Sequence, residues 1–124
     1  MIENIAKHRL EELDNNDMLT IKVDFFDILL RAPNEIAGLR KALVEGRING
    51  SSYIGECSCL IGTIANIKGC EIDAIGNGIA PYKSRPSEIW FTVIYVGDDP
   101  SNNQASRITV EWIDEFLELI KTHK

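Results

Sequence analysis

The stretch that most constrains the fold of this chain runs over residues 50–66 and reads GSSYIGECSCLIGTIAN. It begins with an Asn-Gly turn signal at position 49 and continues into an apolar segment of helix length. Large apolar residues with helical spacing lie on one side of that helix, namely Leu60, Ile61, Ile64 and Ile67; small residues lie on another, namely Ser58, Gly62 and Ala65. A face of small residues permits close packing in the core, close approach of a flat ligand, or close packing of two protomers.

The length of 124 residues predicts a single domain over residues 1–124. The net charge is −6, and lysines and arginines form no run, which argues against binding to a nucleic acid polymer. No apolar run reaches the ~18 residues of a membrane span, and the first residues do not resemble a secretory signal. We therefore expect a soluble cytoplasmic protein that has no membrane partner.

The cysteine pattern predicts buried thiols. The three cysteines, Cys57, Cys59 and Cys70, are an odd number, and the two histidines lie at the ends of the chain. Disulfide scaffolding and metal binding are both disfavoured by this arrangement. We expect neither a metal nor a cofactor.

The first half of the chain predicts two helices and a strand. Apolar spacing over residues 2–13 indicates a short amphipathic helix. Strict alternation over residues 19–25 indicates a half-buried strand. Its phase shifts at Phe25-Phe26 and the apolar set continues to residue 30, which indicates a bulge, a bend or the start of a second strand. Asn34 is a candidate N-cap for a helix that ends at Glu45, with Gly46 as its terminator.

The second half predicts loops around two further helices. Residues 69–86 are interpreted as a long loop, and residues 97–103 as a turn-rich one. Residues 86–96 have strand propensity but helix start signals, which favour a helix. The last amphipathic stripe predicts a long C-terminal helix capped by Ser106 or Thr109. The expected fold is α+β, with a small antiparallel sheet and packed helices.

The sequence carries binding residues but no recognisable catalytic motif. P-loop, dinucleotide-binding, zinc-protease and nucleophile-elbow motifs are all missing, and we expect a protein that is not an enzyme. Flat faces, planar cations and hydrogen-bonding groups cluster near the turn-rich segments. The candidate ligand-binding residues are Tyr53, Glu56, Arg85, Glu88, Trp90, Asp98, Asn103 and Arg107. Structural roles are the alternative to binding. Trp90 is then a core residue, Asp98 and Asn103 are turn formers, and Arg107 is the i+4 partner of Glu111.

Three blocks of the chain resemble a known family. GSSYIGECSCLIGTIAN at residues 50–66, RPSEIWF at 85–91 and GDDPSNNQASRITVEWIDEF at 97–116 are similar to phage and prophage Thoeris anti-defence sponges of the first type. The resemblance implies a non-enzymatic protein of the host bacterial cytoplasm that sequesters glycocyclic ADP-ribose, or cyclic oligonucleotides as related sponges do. It also implies an α+β protomer in homodimers or higher homo-oligomers, with ligand sites at or near the protomer interface.

The binding role that the resemblance implies falls on the eight candidate residues, all of which lie in the matching blocks. One position departs from the pattern, because Ile89 stands where such relatives often carry arginine. Two other function classes remain open: a small nucleotide-processing enzyme that uses Glu56 or Glu88 as its base, and an anti-defence inhibitor that binds a host protein.

Overall fold

A computed structural model describes residues 15–50, 58–71, 74–76, 78–79 and 85–122. The regular elements of these ranges are helical: α1 (Asn15–Arg31), a 3₁₀ turn (Pro33–Glu35), α2 (Ile36–Val44), α3 (Leu60–Lys68), α4 (Pro86–Phe91) and α5 (Gln104–Thr122). Within them, β-type pairing is limited to an isolated parallel bridge between Ile48 and Ser58. The predicted α+β fold with an antiparallel sheet is therefore wrong. The helix predicted over residues 2–13 lies outside the described ranges.

The predicted strand over residues 19–30 is helix α1 because its burial follows a helical period. Phe25, Ile28 and Leu29 are almost fully buried, whereas Leu19 and Val23, which share the alternating stripe with Phe25, are exposed. The change of phase at Phe25-Phe26 was the sign of a helix, since i, i+3, i+4 spacing begins there. The alternation before it was coincidental.

The core lies where α1, α4 and α5 meet, with α2 and α3 completing it. The ring centroid of Phe25 lies 6.0 Å from that of Phe91 and 6.2 Å from that of Trp112. Trp112 also lies 5.1 Å from Trp90, so aromatic rings join α1, α4 and α5. Helix α2 packs against both α3 and α5. This arrangement fixes α4 beside the N-terminus of α3.

The other predicted helices are present, with different caps. Helix α2 ends as predicted, with Gly46 at a φ of 72°. Asn34 lies inside the 3₁₀ turn rather than capping the helix. Residues 86–91 form a helix, as the start signals indicated, but the helix ends at Phe91 and does not continue to residue 96 as predicted. In α5 the cap is Asn103, whose Oδ1 accepts from the Ser106 N–H at 2.9 Å, so the prediction of Ser106 or Thr109 was wrong.

None of the helices in the described part of the chain combines the length and the apolarity that crossing a bilayer requires.

Candidate functional site

The carboxylate of Glu88 is buried against the N-terminus of α3. The side chain is 3% exposed, and its Oε1 accepts from the Leu60 N–H at 3.1 Å. Its Oε2 accepts from the Ile61 N–H at 3.3 Å and from the Cys59 thiol at 3.2 Å. Glu88 of α4 therefore caps α3 from across the core, where the helix dipole favours a negative charge.

Burial is the largest influence on the ionisation of the Glu88 carboxyl and the Cys59 thiol. It raises the pKa of the Glu88 carboxyl, although the thiol and the two N–H groups oppose the shift. Burial, followed by the charge of Glu88, raises the pKa of the Cys59 thiol far above its ordinary value. Since the thiolate is the reactive form, Cys59 is a poor nucleophile and serves as a hydrogen-bond donor.

Arg85, at the start of α4, is held by aspartates of α1. Its Nε and Nη2 donate to the carboxylate of Asp24 at 3.0 and 2.8 Å, and Nη2 also reaches Asp27 at 3.3 Å. The Ser87 N–H donates at 3.0 Å to Asp24 Oδ2, the oxygen that also accepts from Arg85 Nε. Asp24 thus both pairs with Arg85 and caps α4. Burial opposes its ionisation, but the hydrogen bonds from Arg85 and Ser87 hold the pKa of its carboxyl below the ordinary value.

Replacing Asp24 with asparagine is expected to lower the free energy of unfolding by about 3 kcal/mol, because the half-buried guanidinium of Arg85 loses its bidentate partner. Urea titration measures this value. Glu118→Gln, a change at an exposed position of α5, is the control and is expected to cost less than about 0.5 kcal/mol. Equal effects of the two substitutions would contradict a structural role for the Asp24–Arg85 pair.

Trp90, Asp98 and Asn103 also make structural contacts. Trp90 is buried and its Nε1–H donates to Thr109 Oγ1 at 2.7 Å. Asp98 Oδ2 accepts from the Tyr95 N–H at 2.9 Å and from Asn103 Nδ2 at 3.0 Å. Trp90 is therefore a core residue, and Asp98 and Asn103 order the turns between α4 and α5, as their structural alternatives predicted.

The remaining candidates are an exposed arginine and two residues that the structure does not describe. Arg107 is exposed on α5, and no ion pair joins it to Glu111 within the described residues. Tyr53 and Glu56 lie outside the described ranges. The structure therefore does not gather the described candidates into one open site, and their binding role stays a prediction.

An open cleft instead lies between α2 and α3. Its volume is about 180 Å³, and its lining consists of Gly38, Ala42, Arg47, Thr63, Asn66 and Ile67. Gly38 brings the two helices together at this point, because a Cβ added there would lie 2.9 Å from Ile67 Cδ1. The lining of the cleft combines the apolar side chains of Ala42 and Ile67 with the polar side chains of Arg47, Thr63 and Asn66.

Three polar side chains surround this cleft. Arg47 is 55% exposed, and its Nη1 lies 3.7 Å from Glu45 Oε1, a distance too long for a strong hydrogen bond. Thr63 Oγ1 donates to the Ser58 carbonyl at 3.0 Å, and Asn66 Nδ2 donates to Ser58 Oγ at 3.3 Å. The buried Ser58 thus orients Thr63 and Asn66, while Arg47 remains exposed to solvent.

Sequence reasoning missed Arg47 and Thr63 as site residues. Arg47 directly follows the helix terminator Gly46, and Thr63 belongs to the central helix. The sequence did contain a signal for Arg47 as a site residue. This signal was a basic residue directly after the end of one helix and before a helix with a small-residue face. The small face itself packs inside the protein, since Ser58, Gly62 and Ala65 are all buried. Its burial supports the core-packing alternative and does not support contact with a second protomer.

Comparison of the chain with protein-family models, with curated proteins and with solved structures found no match. Within the described residues, no three histidine, cysteine, aspartate or glutamate side chains are grouped so that they could hold a metal ion.

Proposed function

We propose that this protein binds and sequesters a small, phosphate-bearing ligand without transforming it, and that the cleft between α2 and α3 receives one anionic group of that ligand. The observation that carries the proposal is the exposed guanidinium of Arg47 at the rim of the cleft, beside the ordered side chains of Thr63 and Asn66. A guanidinium forms paired, charge-assisted hydrogen bonds with phosphate, which is the contact that the cleft offers through Arg47.

The size of the cleft limits what enters it. Its volume of about 180 Å³ is below the range of about 300–1,000 Å³ that is usual for enclosed ligand pockets. One phosphate with part of its sugar fits, and the rest of a nucleotide would lie outside. The resemblance to anti-defence sponges suggests glycocyclic ADP-ribose as the ligand to test first, with inhibition of Thoeris defence as the biological result.

Calorimetric titration with glycocyclic ADP-ribose tests the proposal, followed by denaturation of the protein and chromatography of the released nucleotide. Binding with intact ligand recovered would support sequestration, whereas a converted product would identify an enzyme. If no heat is released with this ligand or with cyclic oligonucleotides, the sponge proposal fails. A stable complex with a host protein, formed without a small molecule, would then favour the alternative function, an anti-defence inhibitor that binds a host protein.

Replacing Arg47 with glutamine is expected to weaken binding of the ligand by about 10- to 100-fold, the equivalent of one or two charge-assisted hydrogen bonds. The matched variant is Arg107→Gln, which removes another exposed arginine, one that the sequence had singled out. If Arg107→Gln weakens binding and Arg47→Gln does not, the site lies on α5 and the proposed role of the cleft is wrong. Calorimetry of both variants in the same buffer and salt decides between them.

A further inference from the structure

The hydroxyl proton of Thr63 is already used in a hydrogen bond inside the protein. Thr63 lines the cleft between α2 and α3, and its Oγ1 lies 3.0 Å from the carbonyl oxygen of Ser58. A carbonyl oxygen only accepts, so the Thr63 hydroxyl is the donor in this bond. In any further hydrogen bond, the Thr63 hydroxyl can therefore act only as an acceptor.

A second residue of the cleft fixes the side of α3 on which this hydroxyl lies. Asn66 also lines the cleft, and its Nδ2 donates to Ser58 Oγ at 3.3 Å. Ser58 itself is fully buried. The polar ends of Thr63 and Asn66 therefore lie together on one side of α3, in front of the buried Ser58.

The cleft offers different chemistry at its two polar positions. Arg47 supplies the positive charge among the described residues that line the cleft, and its guanidinium only donates. The amide of Asn66 contains both a donor and an acceptor, so it does not discriminate between ligand groups. An anionic oxygen placed beside Thr63 would meet lone pairs instead of a proton. The anion of a ligand is therefore expected at Arg47, and a donor group at Thr63.

We propose that the cleft binds a hydroxylated phosphate ester, such as a sugar phosphate, whose phosphate contacts Arg47 and whose hydroxyl donates to Thr63 Oγ1. The volume of about 180 Å³ accommodates a phosphate and a few hydroxylated carbons. A simple alkyl phosphate would satisfy Arg47 but leave the acceptor of Thr63 without a partner. This inference rests on the ligand-binding proposal and adds the chemical class of the ligand.

Titration of the full chain with glycerol 3-phosphate and with propyl phosphate, followed by NMR chemical shifts, tests the inference. The two probes have the same phosphate and the same carbon chain, but only glycerol 3-phosphate carries hydroxyls. We expect the wild type to bind glycerol 3-phosphate about 5-fold more tightly, the equivalent of one hydrogen bond between neutral groups. The resonances of Thr63 are expected to shift more with this probe than with propyl phosphate.

Variants of Thr63 assign the preference to its hydroxyl. Thr63→Val retains the shape of the side chain but has no hydroxyl, and it is expected to lose the preference, whereas Thr63→Ser is expected to keep it. The matched control is Thr20→Val. The Thr20 hydroxyl also donates to a carbonyl, that of Asn16 at 2.9 Å, but no described residue of α1 lines the cleft. Thr20→Val is therefore expected to show the preference of the wild type.

The outcomes separate this inference from the proposal on which it rests. If the wild type binds both probes equally and Arg47→Gln weakens both, the inference is wrong and the phosphate site stands. A preference that persists in Thr63→Val would place the hydroxyl contact elsewhere and overturn the role of Thr63. If neither probe binds, the cleft is not a phosphate site and both proposals fail. Should Thr63→Val not fold, the preference of the wild type and the shifts of the Thr63 resonances still decide.

Discussion

Replacing Glu88 with alanine is expected to lower the free energy of unfolding by about 4 kcal/mol. The substitution leaves the Leu60 and Ile61 N–H groups buried without an acceptor, removes the acceptor of the Cys59 thiol, and opens a void between α3 and α4. Urea titration followed by circular dichroism measures the loss. Glu111→Ala, on the exposed face of α5, is the control and is expected to change stability by less than about 0.5 kcal/mol.

A loss for Glu88→Ala no larger than that of the control would contradict the capping role. The same result would reopen Glu88 as a ligand or catalytic group. Glu88→Gln separates shape from charge, because it retains the length of the side chain and one carbonyl acceptor but does not ionise. We expect its stability to lie between those of the wild type and Glu88→Ala.

The same residue predicts a pH dependence. The pKa of the Glu88 carboxyl is raised in the folded state above its ordinary value of 4.5. As the pH rises above that value, the unfolded chain releases a proton that the folded protein still holds, so the free energy of unfolding falls. This contribution is fully present below the unfolded pKa and is lost as the pH rises through the folded pKa.

Urea titrations of the wild type and Glu88→Gln, from about pH 4 to about pH 8, measure this contribution. We expect the stability of the wild type relative to Glu88→Gln to decrease as the pH rises. Asp24 has the opposite dependence, but it is present in both proteins and cancels in the difference. A difference that stays constant across the range would show that burial does not control the ionisation of Glu88.

Replacing Gly50 with alanine is expected to destabilise the protein by about 4 kcal/mol or more, or to prevent folding. A Cβ added at this position would lie 1.8 Å from the carbonyl oxygen of Phe91. The backbone at the end of α4 would have to move, and the hydrogen bond from the Gly50 N–H to the Ile94 carbonyl, at 2.9 Å, would be lost. The segment before α3 would then no longer pack against the end of α4.

Gly69→Ala is the matched control for this prediction. Gly69 has a φ of 78°, and a Cβ added there would meet nothing within 4 Å. Its replacement therefore costs only the strain of a left-handed backbone, about 1 to 2 kcal/mol. Thermal unfolding of both variants measures their losses of stability, which reflect steric overlap in Gly50→Ala and backbone strain in Gly69→Ala. Similar losses would show that the approach of Gly50 to Phe91 is not required for folding.

The sequence determined the helices whose apolar pattern is unambiguous. Helix α5 follows from its stripe around Trp112, Ile113 and Phe116, and α3 from Leu60, Ile61 and Ile64, because helical spacing of apolar residues depends only on the local sequence. Helix α4 followed from its start signals. The structural alternatives for Trp90, Asp98 and Asn103 also followed from residue type, since a large aromatic ring favours the core and short polar side chains favour turns.

Tertiary structure decided the rest. Residues 19–30 satisfy both a strand and a helix pattern, and only the burial of Phe25, Ile28 and Leu29 against other helices selected α1. Glu88 and the N-terminus of α3 are 28 residues apart, so no local pattern links the carboxylate to the Leu60 N–H. The cleft beside Arg47 likewise lies between two helices that approach each other at Gly38 and Ile67. Apolar periodicity is local, whereas burial, ion pairing and cavity shape depend on which distant segments meet.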